Sequence, residues 1–164
     1  MRKTFKKIST TMCVLGLSTA GFMSIDSTKA ASDIAQALAV VTAAINISQV
    51  ADLDFGSAVQ GDGASTVAPG DATAGEFAVT GQASTAYTIT LPADATVTMI
   101  TGSGATADEQ IAVNSFVSTP AAGANGLLDG SGAQTLKVGA TRAALSGTQV
   151  AGSYAANFTV DVVY

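Results

Sequence analysis

The chain has 164 residues, with seven basic and 12 acidic side chains, a single cysteine and no histidine. This composition excludes a histidine-dependent catalytic triad and a zinc site of the usual histidine and cysteine kind, because neither can be built from these residues. The length suits one domain with a core of its own.

Residues 1–30 have the pattern of an export signal. Four basic side chains lie within residues 2–7, an apolar stretch covers 12–23, and Thr-Lys-Ala at 28–30 puts small residues at the minus-three and minus-one positions. This predicts a signal peptide that is cleaved after Ala30 and an exported mature chain. The apolar stretch is interrupted by hydroxyl side chains and is short for a spanning helix, so we expect no membrane insertion after cleavage.

Removal of the predicted leader makes the chain strongly acidic. It takes away five of the seven basic residues and one of the 12 acidic ones, which leaves 11 acidic side chains against Lys137 and Arg142. Phosphate backbones and anionic lipid surfaces bind to clustered lysine and arginine, so we expect no nucleic-acid or membrane partner.

The amino-terminal part of the mature chain, residues 31–43, is apolar and rich in alanine. Its composition allows a helix, but Ile34, Leu38 and Val40 share one parity, which also allows a strand. Helix and strand are therefore both open for this segment. A sandwich made from residues 44–164 gives it no obvious place.

From residue 44 onwards, short alternating segments recur at intervals of roughly 8 to 12 residues and are separated by glycine, proline and aspartate. Strands are predicted at 45–50, 52–59, 65–68, 76–80, 87–91, 97–99, 111–116, 134–140 and 152–164, with a bulge at Ser115 and a loop over 118–132. No internal helix is predicted. This spacing is typical of an all-β sandwich rather than of alternating strands and helices.

The last predicted strand has the clearest alternation of the chain. One parity is apolar and the other is polar, with Asp161 on the polar side, which predicts a half-buried strand. The residues on its apolar side are Tyr154, Phe158, Val160, Val162 and Tyr164.

The search for catalytic groups gives a negative prediction. A serine nucleophile would need a lysine partner, and Lys137 has the position of a solvated charge on a strand face. Asp108 and Glu109 are adjacent, so their side chains are expected to point apart. We predict that the protein is not an enzyme and needs no cofactor.

Calcium is the one metal for which the sequence offers candidate ligands. Asp52 and Asp54 are spaced to lie on one strand face, and Asp129 precedes a glycine-rich turn. Calcium needs six to eight oxygen ligands, and neither pattern repeats or adds further ligands at set spacing. We predict no metal site.

Several short motifs, in their order along the chain, resemble a secreted bacterial family of unassigned function, which in turn is similar to the pilins assembled by the chaperone-usher route. The match runs from about residue 45 to residue 164 and lacks the disulfide of the best-known pilins. The matching residues are Leu53, Asp54, Phe55 and Gly56; Phe77, Thr80 and Gly81; Tyr87, Ile89, Leu91 and Pro92; Leu136, Val138 and Gly139; and Gly152, Tyr154 and Tyr164.

The resemblance implies an immunoglobulin-like sandwich that lacks one strand and serves as a structural subunit of a surface fibre, or fimbria. Residues 31–43 would then be a donor strand that fills the groove of the next copy, with Ile34, Leu38 and Val40 inserted. The closing segment would line the groove and bind a periplasmic chaperone before an outer-membrane usher assembles the fibre. The alternative is a self-contained secreted β-sandwich that acts as a binding module or adhesin.

Overall fold

Nine β-strands and one short 3₁₀ turn form in residues 31–164, the part of the chain that the computed structural model describes. The predicted signal peptide, residues 1–30, lies outside these described residues. The strands are β1 (Asn46–Ala51), β2 (Ser65–Val67), β3 (Gly75–Thr80), β4 (Ala86–Thr90), β5 (Val97–Ile100), β6 (Gln110–Thr119), β7 (Gly123–Leu127), β8 (Ala133–Arg142) and β9 (Asp161–Val163). The 3₁₀ turn is Ala107–Glu109.

The strands form two antiparallel sheets. The larger sheet has the order β1-β3-β8-β6-β5, with β2 paired to β8 beyond the end of β3, and the smaller sheet has the order β7-β4-β9. The prediction of an all-β chain is therefore confirmed, and two sheets around a shared core are consistent with a β-sandwich. Within the described part of the chain, no helix is long and apolar enough to cross a membrane.

The core lies along the inner face of β8, one of the two ten-residue strands of the larger sheet. Leu136, Val138 and Ala140 alternate along this strand and are completely buried, which is the period-2 pattern of a strand with one face on a core. From the smaller sheet, Tyr87 and Ile89 belong to the same buried cluster as Leu136 and Val138. The inner face of β8 therefore joins the two sheets.

The predicted bulge at Ser115 is confirmed. Ser115 has a φ of 53°, and the pairing of β6 with β8 shifts between Asn114 and Val117. An extra residue of this kind bends and twists its strand, and here it lets the long strand β6 follow β8.

Two predictions for the connecting segments are wrong. Residues 52–59 form no strand, because the Asp54 carboxylate accepts a hydrogen bond from the Gly56 amide at 2.8 Å and Gly56 has a φ of 68°, which turns the chain. The predicted loop over 118–132 contains β7. Gly126 of β7 lies against the Tyr87 ring, and a Cβ at this position would lie 2.5 Å from the ring atoms. The strand therefore packs closely because this residue has no side chain, and its sequence shows no apolar alternation.

We expect Leu136→Ala to lower the free energy of unfolding by about 3 to 5 kcal/mol, because the side chain is completely buried and its loss leaves a cavity. Leu127→Ala is the matched control, since Leu127 is 56% exposed and its truncation should cost under about 1 kcal/mol. Urea unfolding of both variants measures the difference. Equal losses would contradict the assignment of the core to the inner face of β8.

Candidate functional site

The candidate site is the line along which β1 and β9, one edge strand from each sheet, face each other, and this line is called the cleft. β1 pairs with β3 on one side, β9 pairs with β4 on one side, and the two edge strands lie next to each other without pairing. Each of them thus has one main-chain edge with no strand partner among residues 31–164. Unpaired edges of this kind are templates for another strand.

One end of the cleft lies at Gly75, the first residue of β3. A Cβ built there would lie 3.4 Å from the Leu53 Cβ and 3.6 Å from the Phe158 ring. Leu53 follows β1 and Phe158 precedes β9, so the first and the closing segments meet over this glycine.

The other end lies at Gly81, which directly follows β3. A Cβ at this position would overlap the Tyr164 hydroxyl and would lie 3.3 Å from the Ile45 Cα. The Tyr164 hydroxyl accepts a hydrogen bond from the Gln82 amide at 2.5 Å. The two segments therefore meet at both ends of β3, which is six residues or about 20 Å long.

Several apolar side chains of β1, β3, β6 and the closing segment are only half-buried. Phe158 contacts two other rings, with centroids 6.0 Å from Phe77 at 77° and 5.3 Å from Phe116 at 44°. Ile47 and Val162 also pack against the core while part of each remains in contact with solvent. Additional apolar atoms that covered these side chains would bury more surface and stabilise the fold.

The closing segment is not one continuous strand, so that prediction is wrong in its extent. Ala155 exchanges main-chain hydrogen bonds with Ile100 at 3.0 and 3.2 Å, at the β5 edge of the larger sheet. Residues 161–163 then pair with β4 of the smaller sheet. The segment crosses from one sheet to the other, and for that reason only its last part keeps a strand ladder.

The residues predicted to line the groove differ in burial. Val160 is buried at 6% exposure, Tyr154, Phe158 and Val162 are half-buried, Tyr164 is 46% exposed, and Asp161 is exposed. Burial thus follows the predicted alternation near β9 even though the ladder is short.

The predicted donor residues lie in a segment without regular structure. Residues 31–45 form neither the helix nor the strand that their sequence allows, and Ile34, Leu38 and Val40 are 94%, 87% and 96% exposed. Their role as donor residues remains a prediction.

The polar residues considered for catalysis stabilise turns and strand faces. The Lys137 ammonium lies 3.6 Å from the Glu76 carboxylate on the outer face of the larger sheet. Asp108 contributes its main-chain oxygen, which accepts hydrogen bonds from the Val150 amide at 2.8 Å and the Tyr154 hydroxyl at 2.9 Å. A hydrogen bond from the Thr106 amide is the main reason that the pKa of Glu109 lies below its ordinary value.

The aspartates considered for calcium also bind within the chain. Asp52 accepts a hydrogen bond from the Gln49 side chain, and the two carboxylates at 52 and 54 do not share a strand face. Asp129 accepts hydrogen bonds from the Ser131 hydroxyl at 2.7 Å and from the Ser131 and Ala133 amides at 2.8 and 3.0 Å. In the described part of the chain, no group of three or more acidic or cysteine side chains is placed to hold a metal ion.

The sequence analysis did not assign the two glycines at the ends of β3 to the site. Gly75 and Gly81 flank the alternating residues Phe77 and Val79, and a glycine at each end of a strand is a signal for close approach of another segment. The signal was present, but the sequence does not say which segment approaches.

We expect Gly81→Ala to lower the free energy of unfolding by about 1 to 2 kcal/mol and to detach Tyr164 from the Gln82 amide, because the added methyl group overlaps the tyrosine hydroxyl. Combining it with Tyr164→Phe should restore part of the loss. Urea unfolding and the Gln82 amide resonance report the two effects. Gly147→Ala is the control, since a Cβ there meets nothing within 4 Å; equal losses from the two glycine variants would contradict this contact.

The Asp129 carboxyl should titrate below its ordinary pKa of about 3.9, chiefly because the Ser131 hydroxyl donates to its charged form. A lowered pKa means that the turn between β7 and β8 is stabilised above the ordinary pKa and loses this stabilisation as the pH falls through the folded one. NMR titration of the carboxyl carbon measures the midpoint. Ser131→Ala should move it up while leaving that of Glu109 in place, and an unmoved Asp129 midpoint would show that the hydroxyl has no such effect.

Comparison with known proteins places the closing segment within a family of domains. Residues 62–164, more than half of the chain, match the family model described as a domain of unknown function, DUF4402. No curated protein and no solved structure matches the chain. The matched region includes β2 to β9 and leaves β1 and residues 31–61 outside. The chain therefore belongs to the DUF4402 family.

Proposed function

We propose that this protein is a structural subunit of a bacterial surface fibre, in which residues 31–43 of one copy bind as an added strand in the cleft of the next. The observation that supports the proposal is the pair of edge strands β1 and β9, each unpaired on one side and each carrying a half-buried apolar side chain, Ile47 and Val162. The proposal includes an immunoglobulin-like sandwich with one strand position open, which agrees with the sheet orders of the described strands.

Strand addition suits the chemistry of the cleft. Main-chain groups on an unpaired edge supply hydrogen bonds, and alternate side chains of the added strand enter the apolar space between the sheets. Thirteen extended residues reach about 40 Å, twice the length of β3, so residues 31–43 can span the cleft and still connect two copies. On this proposal Ile34, Leu38 and Val40 enter the cleft.

The local sequence favours binding between copies over folding back within one copy. Residues 40–44 lead directly into β1, and a return along β1 would need a tight hairpin at about Ala44 and Ile45. Two-residue hairpins require positive φ angles and favour glycine and asparagine, whereas a β-branched isoleucine is strained there. Residues 31–55 contain no glycine or proline.

An open cleft also implies partners before assembly. Exposed apolar surface beside unpaired strand edges promotes aggregation. A subunit exported into the periplasm would need a chaperone to cover the cleft and an outer-membrane usher to exchange that chaperone for the next copy. The closing segment, with Tyr154 and Phe158, is the surface that such a chaperone would contact.

Leu38→Arg in the secreted chain should abolish multimer ladders on native electrophoresis and size-exclusion chromatography, because it would bury an unpaired charge in the cleft. Val41→Arg is the matched control: Val41 is 92% exposed and has the opposite parity, so its variant should still assemble.

Loss of multimers in both variants would show that the added charge, and not its position in the cleft, prevents assembly. If the unmodified chain is a stable monomer that protects the amides of residues 31–43 from exchange, the fibre proposal is wrong. The protein would then be a self-contained secreted binding module or adhesin.

A further inference from the structure

A cavity of about 620 Å³ lies between the segment that follows β1 and the segment that precedes β9. Its walls are largely apolar and include Phe55, Met99, Ile111, Leu145 and Tyr154. Arg142, the last residue of β8, also lines it. The volume is within the range of roughly 300 to 1,000 Å³ that is usual for small-molecule sites.

Arg142 is a buried cation without a counter-charge. Its side chain is 6% exposed because residue 142 continues the inner face of β8. Nη1 donates to the Ala143 carbonyl at 2.9 Å and Nη2 donates to the Gly63 carbonyl at 3.2 Å. The Nε atom is buried and has no hydrogen-bond partner. Within residues 31–164, no carboxylate lies within 4.0 Å of the guanidinium.

A buried charge of this kind is costly unless it is paired. A guanidinium carries five N–H donors and stays charged in proteins, and here two of the donors bind neutral carbonyl oxygens while Nε binds none. Asp54 also lines the cavity, but its side chain is exposed and accepts a hydrogen bond from the Gly56 amide. Among the described residues, therefore, no carboxylate pairs with Arg142.

We propose that this cavity binds a small apolar carboxylate, with the carboxylate against Arg142 and the hydrocarbon part against the apolar walls. Planar carboxylates match the guanidinium fork and form short charge-assisted hydrogen bonds with it. A single guanidinium amid 11 acidic side chains in residues 31–164 favours a monoanion over a phosphate, since the surrounding charge repels multiply charged anions.

This site does not depend on the fibre proposal. It is built from Arg142 and the apolar walls of the cavity, all of which lie between residues 53 and 154. Failure of strand exchange would therefore leave the carboxylate site unaffected, and an empty cavity would leave strand exchange unaffected.

The test is titration of the secreted chain, residues 31–164, with decanoate and with decanol. Isothermal calorimetry and thermal unfolding measure the binding of each compound. Decanol has the same hydrocarbon chain without the charge, so decanoate should bind about 10 to 100 times more tightly. Equal affinities, or no saturable binding of decanoate below its solubility limit, would overturn the proposal without any variant being made.

Two variants test whether Arg142 is the cation that binds the carboxylate. Arg142→Met keeps the length and the apolar stem of the side chain and should remove the preference for decanoate over decanol. Lys137→Met is the matched control, because Lys137 is the other cation of residues 31–164 and pairs with Glu76 on the opposite face of the same strand. Undiminished decanoate binding by Arg142→Met, or equal losses of binding in both variants, would overturn the assignment. If Arg142→Met does not fold, the comparison of decanoate with decanol on the unmodified chain decides whether the cavity binds a carboxylate.

Discussion

The feature on which the rest of the structure depends is the pair of unpaired strand edges at β1 and β9. Near them, the rings of Phe77, Phe116 and Phe158 form an aromatic cluster that stays half-buried. The core beneath them is complete, since Leu136 and Val138 of β8 are fully buried. The fold thus has a fully buried centre with half-buried aromatic rings beside it, which separates the side chains that leave water completely from those that stay partly in contact with it.

The alternation of side chains along β8 places two cations in different environments. Its even-numbered residues from 136 to 142 point into the core, and its odd-numbered neighbour Lys137 points to solvent beside Glu76. The strand alternation thus turns one of the two cations after residue 30 outwards, where water and a carboxylate screen it. The other cation, Arg142, is turned inwards beyond the apolar residues, where nothing in the described chain neutralises it. The unusual charge environment of the cavity follows from the length of β8, which continues past the end of the apolar core.

The alternation of apolar and polar residues predicted the strands whose inner faces meet the core. It failed where a strand packs through glycine and where a segment changes from one sheet to the other. Residues 87–91 and 134–140 were assigned correctly because Ile89 and Leu136 leave water completely, so their sequence has to alternate. β7 escaped prediction because Gly126 contributes space for the Tyr87 ring rather than a side chain. The closing segment was predicted too long because its apolar residues follow burial, while its hydrogen bonds go first to β5 and then to β4. The cleft needed both segments in place and was not readable from either one alone.

The extent of the family match bears on how the cleft could work. β9 and the β4 strand that holds it lie inside the matched region, while β1 and residues 31–43 lie before it. Hydrogen bonds to an unpaired edge involve main-chain groups and tolerate many sequences, whereas the fit of alternate side chains is specific. If an added strand binds as proposed, the edge within the family's domain would contribute mainly main-chain hydrogen bonds, which do not depend on the sequence of that strand. Specificity would reside in the segment outside that domain, where Ile34, Leu38 and Val40 stand in a stretch of alanines with Asp33 as its single charged residue.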